Sequence, residues 1–201
     1  MANSAIASAD VRARVDAIIS ERDSRRRRLA TWQREALPDT ATSEDEWKRY
    51  LDPMEFKVLR LKGTEPRGGE YDSFYPPAED GHFACRGCSR PLYSAAAKFK
   101  SGCGWPAFDK CYMGAVAIRE DRTLEPLRIE IMCAGCDGHL GHVFAGERMT
   151  PTNERHCVNS VSVLFIKGLP ARVLPGCSTG VDALPEETLC SMRNLAKLRK
   201  L

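Results

Sequence analysis

LRIEIMCAGCDGHLGHVF, residues 127–144, holds a strand-like run, a CxxC turn and a second strand-like run in succession. LRIEIM (127–132) and HVF (142–144) are short and β-like, and Gly and Asp punctuate the stretch between them. Outward from this segment the texture repeats. HFAC (82–85), AVAIR (115–119) and CVNSVSVLFI (157–166) read as further strands, with no long helix between them to serve as a parallel crossover. An antiparallel, mainly β domain is the expectation.

Upstream, Ser43 and Glu46 have capping-box spacing ahead of Trp47, Tyr50 and Leu51. Asp52 and Pro53 read as the cap and first position of a second short helix supported by Glu55; Gly63 stands where a helix running through Leu61 would end. Val11, Val15, Ile18, Leu29, Trp32 and Ala36 recur at helical spacing in the first segment, where Arg25–Arg28 reads as a solvated charged face. After Gly168 come Pro170, Pro175 and the helix-like ending PEETLCSMRNLAKLRKL, with Leu189, Met192 and Ala196 on one face. The expected division is an N-terminal extension over 1–42, a β domain over 43–168 and a tail with a short helix over 169–201.

Of 201 residues, 43% are hydrophobic and 28% charged, with a formal net charge of +3. One soluble domain with appendages fits, and no charge field strong enough to imply nucleic acid is present. No apolar run approaches the ~20 residues of a bilayer span. The opening MANSAIASADVRARVDAII lacks the pattern of a secretory signal. The expected location is cytoplasmic. Mitochondrial import is the alternative, disfavoured by Asp10, Asp16, Glu21 and Asp23.

Nine cysteines cannot all pair, and in a reducing compartment cysteines more often bind metal or do chemistry. Cys85 and Cys88 (CRGC) match Cys133 and Cys136 (CAGC), and two such turns complete a tetrahedral four-thiolate site for Zn2+, one per chain, with iron the chemical competitor. Forty-four residues separate Cys88 from Cys133, so the metal would tie together distant hairpins, and with no open coordination position its role would be structural. Cys157 begins a run in which Cys157, Asn159, Val161, Val163 and Phe165 alternate onto one face. Arg155, His156, His139 and His142 are cations or imidazoles that would favour its thiolate. From these features alone an inert buried cysteine with structural histidines is slightly the better reading, and spacing does not decide between them.

The series EWKRYLDPMEFKVLRLKGTEP, CRGC, KFKSGCGWPAF, LRIEIMCAGC, GHLGHVF and ERHCVNSVSVLF, in this order from Trp47 to Lys167, resembles the B-type methionine-R-sulfoxide reductases. The resemblance implies two packed antiparallel sheets and reduction of the R epimer of methionine sulfoxide in oxidised proteins. It implies a nucleophilic Cys157 and proton-handling His139 and His142. Asn159 and Arg155 would line the site, and Trp105 would seat the substrate methyl group. It further implies that the Cys157 sulfenic acid condenses with a resolving Cys103, and that a thioredoxin-like dithiol reduces the disulfide without an organic cofactor. Oxidised proteins and that reductant are the implied partners of a monomer.

Departures from the family pattern are His156 where Tyr is usual, Asn153 where Gly is common, and Glu125-Pro126 in place of a Gly-Met step. Phe108 reads as core and Cys111 as a loop residue, with a second resolving thiol the alternative. Cys177 and Cys190 read as inert. The competing functional class is a zinc-stapled binding module that touches RNA or a partner through Arg25–Arg28; Cys157 discriminates between the two.

Overall fold

The computed structural model describes residues 39–123, 126–168 and 170, together with the backbone of 189–190. The helical reading of 11–36 and most of the tail lie outside these residues. Two short helices lead in: α1, Glu44–Tyr50, and α2, Pro53–Leu59. Both carry reciprocal capping boxes. The Ser43 hydroxyl accepts the Glu46 N–H at 3.3 Å while the Glu46 carboxylate accepts the Ser43 N–H at 2.9 Å, and Asp52 and Glu55 repeat the arrangement at 2.8 and 3.0 Å. Each cap stabilises its helix by about 1 kcal/mol. α2 stops at Leu59, short of the expected Leu61, and the turn after it runs through Lys62 at φ 57°, which sends the lysine side chain to Glu130.

The strands are β1 Gly81–Cys85, β2 Pro91–Ser94, β3 Lys98–Phe99, β4 Ala107–Phe108, β5 Cys111–Tyr112, β6 Val116–Asp121, β7 Arg128–Cys133, β8 His139–Ala145, β9 Glu154–Val158, β10 Val163–Lys167 and β11 Leu189–Cys190. They build a six-stranded sheet in the order β3-β4-β9-β8-β7-β6 and a three-stranded sheet β10-β1-β2; β5 pairs with β11. Every pairing is antiparallel. Aromatic rings join the two larger sheets. Tyr93 of β2 stacks on Phe108 of β4 at 4.2 Å, and Phe83 of β1 meets Phe108 edge-on at 5.0 Å, all three rings fully buried. Such pairs add about 0.5–1.5 kcal/mol beyond their burial. No helix among the described residues is long and apolar enough to cross a membrane.

Two expectations change. The run 157–166 is not one strand: β9 ends at Val158, a 3-10 turn occupies Ser160–Ser162, and β10 continues in the other sheet. The break is held by Glu65, whose carboxylate accepts the N–H groups of Ser160 and Val161, donors that a continuous ladder would otherwise use. Leu189–Cys190 is strand, not helix, and Cys111 opposite it is a buried strand residue rather than part of a loop.

Candidate active site and metal centre

β9 lies between β8 and β4, and register places His142 and Ala107 on either side of Cys157. His139 and His142 are three residues apart, a spacing that puts side chains on opposite faces of a regular strand. A bulge removes the conflict: Ile131 pairs with Gly141 but Met132 pairs with His139, leaving Leu140 as the extra residue. The two imidazoles therefore share a face, with ring centroids 5.6 Å apart. Gly141 makes the close approach possible. Its φ is 152°, and a Cβ there would stand 2.0 Å from the Cys157 carbonyl oxygen, so any side chain would push β8 off β9.

Cys157, His142, Asn159 and Trp105 line one small pocket of about 140 Å³ with Thr64, Arg128, Gly141, Phe144 and Val158. Glu65 fixes its rim. The Glu65 N–H donates to the Asn159 amide oxygen at 3.0 Å, the Glu65 carbonyl accepts the Trp105 indole N–H at 3.2 Å, and the Asn159 amide donates to the Leu140 carbonyl at 3.0 Å. The Arg67 guanidinium lies over the indole at 5.2 Å. Burial raises the Glu65 carboxyl above the ordinary range, outweighing the N–H groups of Ser160 and Val161.

Cys103 comes to the same place from the turn before β4, its sulfur 3.6 Å from that of Cys157. Both are partly exposed. The hydrogen bond between the thiols lowers Cys103 to about 5 against the opposing effect of burial, helped by Ser101, the Trp105 backbone and Arg155. The same bond, with burial, raises Cys157. The pair therefore holds one thiolate and one proton between two sulfurs, and the charge rests on Cys103 while no third group intervenes. Arg155 faces that charge from β9. A two-pronged ion pair with Glu147, 2.7 Å at each contact, fixes its guanidinium, which also covers the Phe144 ring at 4.4 Å; Arg155 is not among the residues that line the pocket.

Each imidazole is tied to a carboxylate. His142 Nε2 lies 2.7 Å from Asp121, which also accepts from Thr123 and Arg128, and these bonds, Thr123's foremost, hold the Asp121 carboxyl well below its ordinary range. His139 Nδ1 lies 2.8 Å from Glu130, whose other oxygen accepts from Lys62 at 2.8 Å. Burial opposes the Glu130 charge, but these two partners override it and lower the carboxyl. An ionised carboxylate only accepts, so the hydrogen sits on His142 Nε2 and on His139 Nδ1. Burial lowers His139, against the opposing effect of Glu130. His139 is buried beside His142 rather than in the pocket lining.

The two CxxC turns have the same geometry. In each, the residue after the second cysteine is left-handed, Ser89 at φ 60° and Asp137 at φ 57°, and its N–H donates 2.9 Å back to the carbonyl of the first cysteine. One turn joins β1 to β2 and the other joins β7 to β8. The four buried sulfurs lie within 4.8 Å of one another, with Cys85–Cys136 at 3.7 Å and Cys88–Cys133 at 3.5 Å. Metal–sulfur bonds of about 2.3 Å in a tetrahedron require sulfurs about 3.8 Å apart. The group fits a metal ion, and none of its members lines the pocket.

Residues 51–167 match the SelR domain. The chain belongs to the SelR family, the methionine sulfoxide reductases of type B. Among its relatives, the chloroplastic peptide methionine sulfoxide reductase B3 of Oryza sativa subsp. japonica is 56% identical over 128 residues, 62% of this chain and 53% of that protein. Peptide methionine sulfoxide reductase B5 of the same species is 55% identical over 127 residues, 61% of this chain and 88% of that protein. Peptide methionine sulfoxide reductase B7 of Arabidopsis thaliana is 48% identical over 142 residues, 68% of this chain and 95% of that protein. The chain thus spans about half the length of the first and most of the other two.

Within the SelR domain, sequence reasoning passed over Asp121, Arg128, Glu130, Glu65 and Lys62. Glu130 carried a usable signal, a lone carboxylate between Ile129 and Ile131 in a strand beside a histidine-bearing strand. Glu65 and Lys62 carried none, since both act through a turn whose course only the fold defines.

Proposed function

We propose that the chain reduces the R epimer of methionine sulfoxide in peptides and oxidised proteins, with Cys157 as nucleophile and Cys103 as the resolving thiol. One observation carries this reading: the Cys157 sulfur stands against a second thiol at 3.6 Å and faces a small pocket walled by Trp105 and Phe144 and flanked by His142. The substrate methyl group packs on the indole, which gives the two faces of the sulfoxide unequal seats and so favours one epimer. Asn159 braces that wall through Glu65.

Cys157 gives its proton to Cys103 and attacks the sulfoxide sulfur as thiolate. The sulfoxide oxygen takes a proton from the histidine pair, with His142 at the pocket and His139 beside it, and passes to Cys157. Methionine leaves and Cys157 is a sulfenic acid. The Cys103 thiol then attacks that sulfur, water departs, and the Cys103–Cys157 disulfide forms. Arg155 stabilises the negative charge as it moves between the sulfurs. A thioredoxin-like dithiol restores both thiols by exchange.

We assign Zn2+ to Cys85, Cys88, Cys133 and Cys136 as a structural ion, one per chain; four thiolates satisfy it and no organic cofactor is required. The enzyme acts as a monomer and is placed in the cytoplasm, although the names of the rice B3 and Arabidopsis B2 relatives specify chloroplasts. The deciding experiment is epimer-resolved reduction of a sulfoxide peptide. Loss of the R epimer alone is expected, abolished by C157S, while C103S keeps turnover with dithiothreitol and loses it with thioredoxin. Consumption of the S epimer, or full activity in C157S, would overturn the assignment.

A further inference from the structure

Neither the tetrathiolate cluster nor the Cys103–Cys157 pair uses Cys111, Cys177 or Cys190. Two of these three meet across a single ladder. β5 and β11 pair antiparallel with Tyr112 opposite Leu189 and Cys111 opposite Cys190. Residues directly opposed in an antiparallel pair have Cα atoms about 4.5–5.5 Å apart, inside the ~4.4–6.8 Å that a disulfide spans. Among the described residues β11 is the sole strand partner of β5, and a two-residue ladder supplies too few hydrogen bonds to hold a strand alone. Cys111 is 1% exposed and sits next to the equally buried Tyr112.

We propose that Cys111 and Cys190 are a second dithiol site, which closes to a disulfide on oxidation and fastens β11 to the β domain. The oxidant is a low-molecular-weight disulfide such as glutathione disulfide. One protein thiolate attacks it and releases one glutathione thiol; the second protein thiolate then attacks the mixed disulfide and releases another. Two protein thiols are oxidised and one glutathione disulfide is reduced to two thiols. The linkage closes a long loop from Cys111 to Cys190 that contains β6 to β10, the kind of cross-link that most restricts the unfolded chain. It differs from the catalytic pair in access: Cys103 and Cys157 are both partly exposed, whereas Cys111 is buried, so a protein reductant that reopens the first bond meets a shielded sulfur at the second.

The test uses the purified full chain oxidised with glutathione disulfide, divided, and treated or not with reduced thioredoxin before alkylation and non-reducing digestion. The expected product is a linked peptide pair carrying Cys111 and Cys190 that survives thioredoxin while the Cys103–Cys157 link disappears. Oxidation should also raise the thermal midpoint of the parent protein more than that of C190S, which should retain dithiothreitol-driven sulfoxide reduction. C190S is the informative variant because C111S alters a buried residue. Separate alkylation of Cys111 and Cys190 after oxidation, or linkage of Cys190 to Cys177 or Cys103, would overturn the proposal.

Discussion

Removing the Cys157 sulfur should return the Cys103 thiol toward ordinary behaviour. The leading reason that Cys103 titrates at about 5 is the hydrogen bond from Cys157, whose sulfur lies 3.6 Å away. Alanine is the required substitution, because a serine hydroxyl at 157 would still donate to the thiolate. With that donor gone, Ser101 and Arg155 still favour the charge and burial still opposes it, so the midpoint should climb by about 2–3 units toward the ~8.5 of a free cysteine. The assay is alkylation of Cys103 with iodoacetamide from pH 4 to pH 10, read residue by residue by mass spectrometry. The midpoint is the proper readout rather than the rate at one pH. A thiolate of lower pKa is intrinsically slower, with a Brønsted slope of about 0.4–0.5, which would offset the roughly two- to tenfold fall in thiolate fraction at pH 7. The linkage sign follows. Cys103 is depressed on folding, so its contribution to stability is full above the unfolded-state pKa and is lost as pH falls toward about 5. A Cys103 midpoint that moves by less than half a unit in C157A would refute the shared-proton account.

C88S should empty the metal centre and lower the thermal midpoint by about 10 °C or more. Structural zinc contributes about 10–16 kcal/mol in small domains, against total stabilities of about 5–15 kcal/mol; metal content with calorimetry checks this, and an unchanged midpoint would remove the structural role. N159A should cost about 2–4 kcal/mol in denaturant unfolding, because it orphans the buried Glu65 N–H and removes one bond to Leu140, whose carbonyl keeps the Asn159 backbone N–H. E130Q should lower kcat about tenfold or more with KM little changed, by withdrawing the charge that fixes the His139 hydrogen on Nδ1; a matching rise in KM would instead indicate a collapsed pocket.

Much of this molecule was legible in its sequence where local chemistry decides the outcome. The Ser43 and Asp52 caps, the strands about Phe83 and Ile131, and the doubled CxxC turns follow from neighbouring residues, and the structure has each. Period-two reasoning did bring Cys157 and Asn159 together, but for a reason it did not contain. Both reach the pocket because the strand breaks between Val158 and Ser160, under the control of a carboxylate some ninety positions upstream. The histidine pair is similar. Its spacing in GHLGH contradicts a shared face until the extra Leu140 is known, and a bulge is a property of two paired strands, not of one. Glu130 and Asp121 were missed because their roles exist only across the ladder between β6, β7 and β8.

The matched turns at Cys85 and Cys133 belong to hairpins of different sheets, so a metal held by the four cysteines would act as a rivet through both layers. The β7–β8 hairpin that this rivet clamps also carries His139, Gly141 and His142. Stripping the metal should therefore register at the pocket as slackness: no ligand need touch substrate for a chelator to loosen the spacing between β8 and the Cys157 strand. Protection of β8 amides against hydrogen exchange would then fall together with turnover, making metal supply a control on repair capacity as well as on protein lifetime.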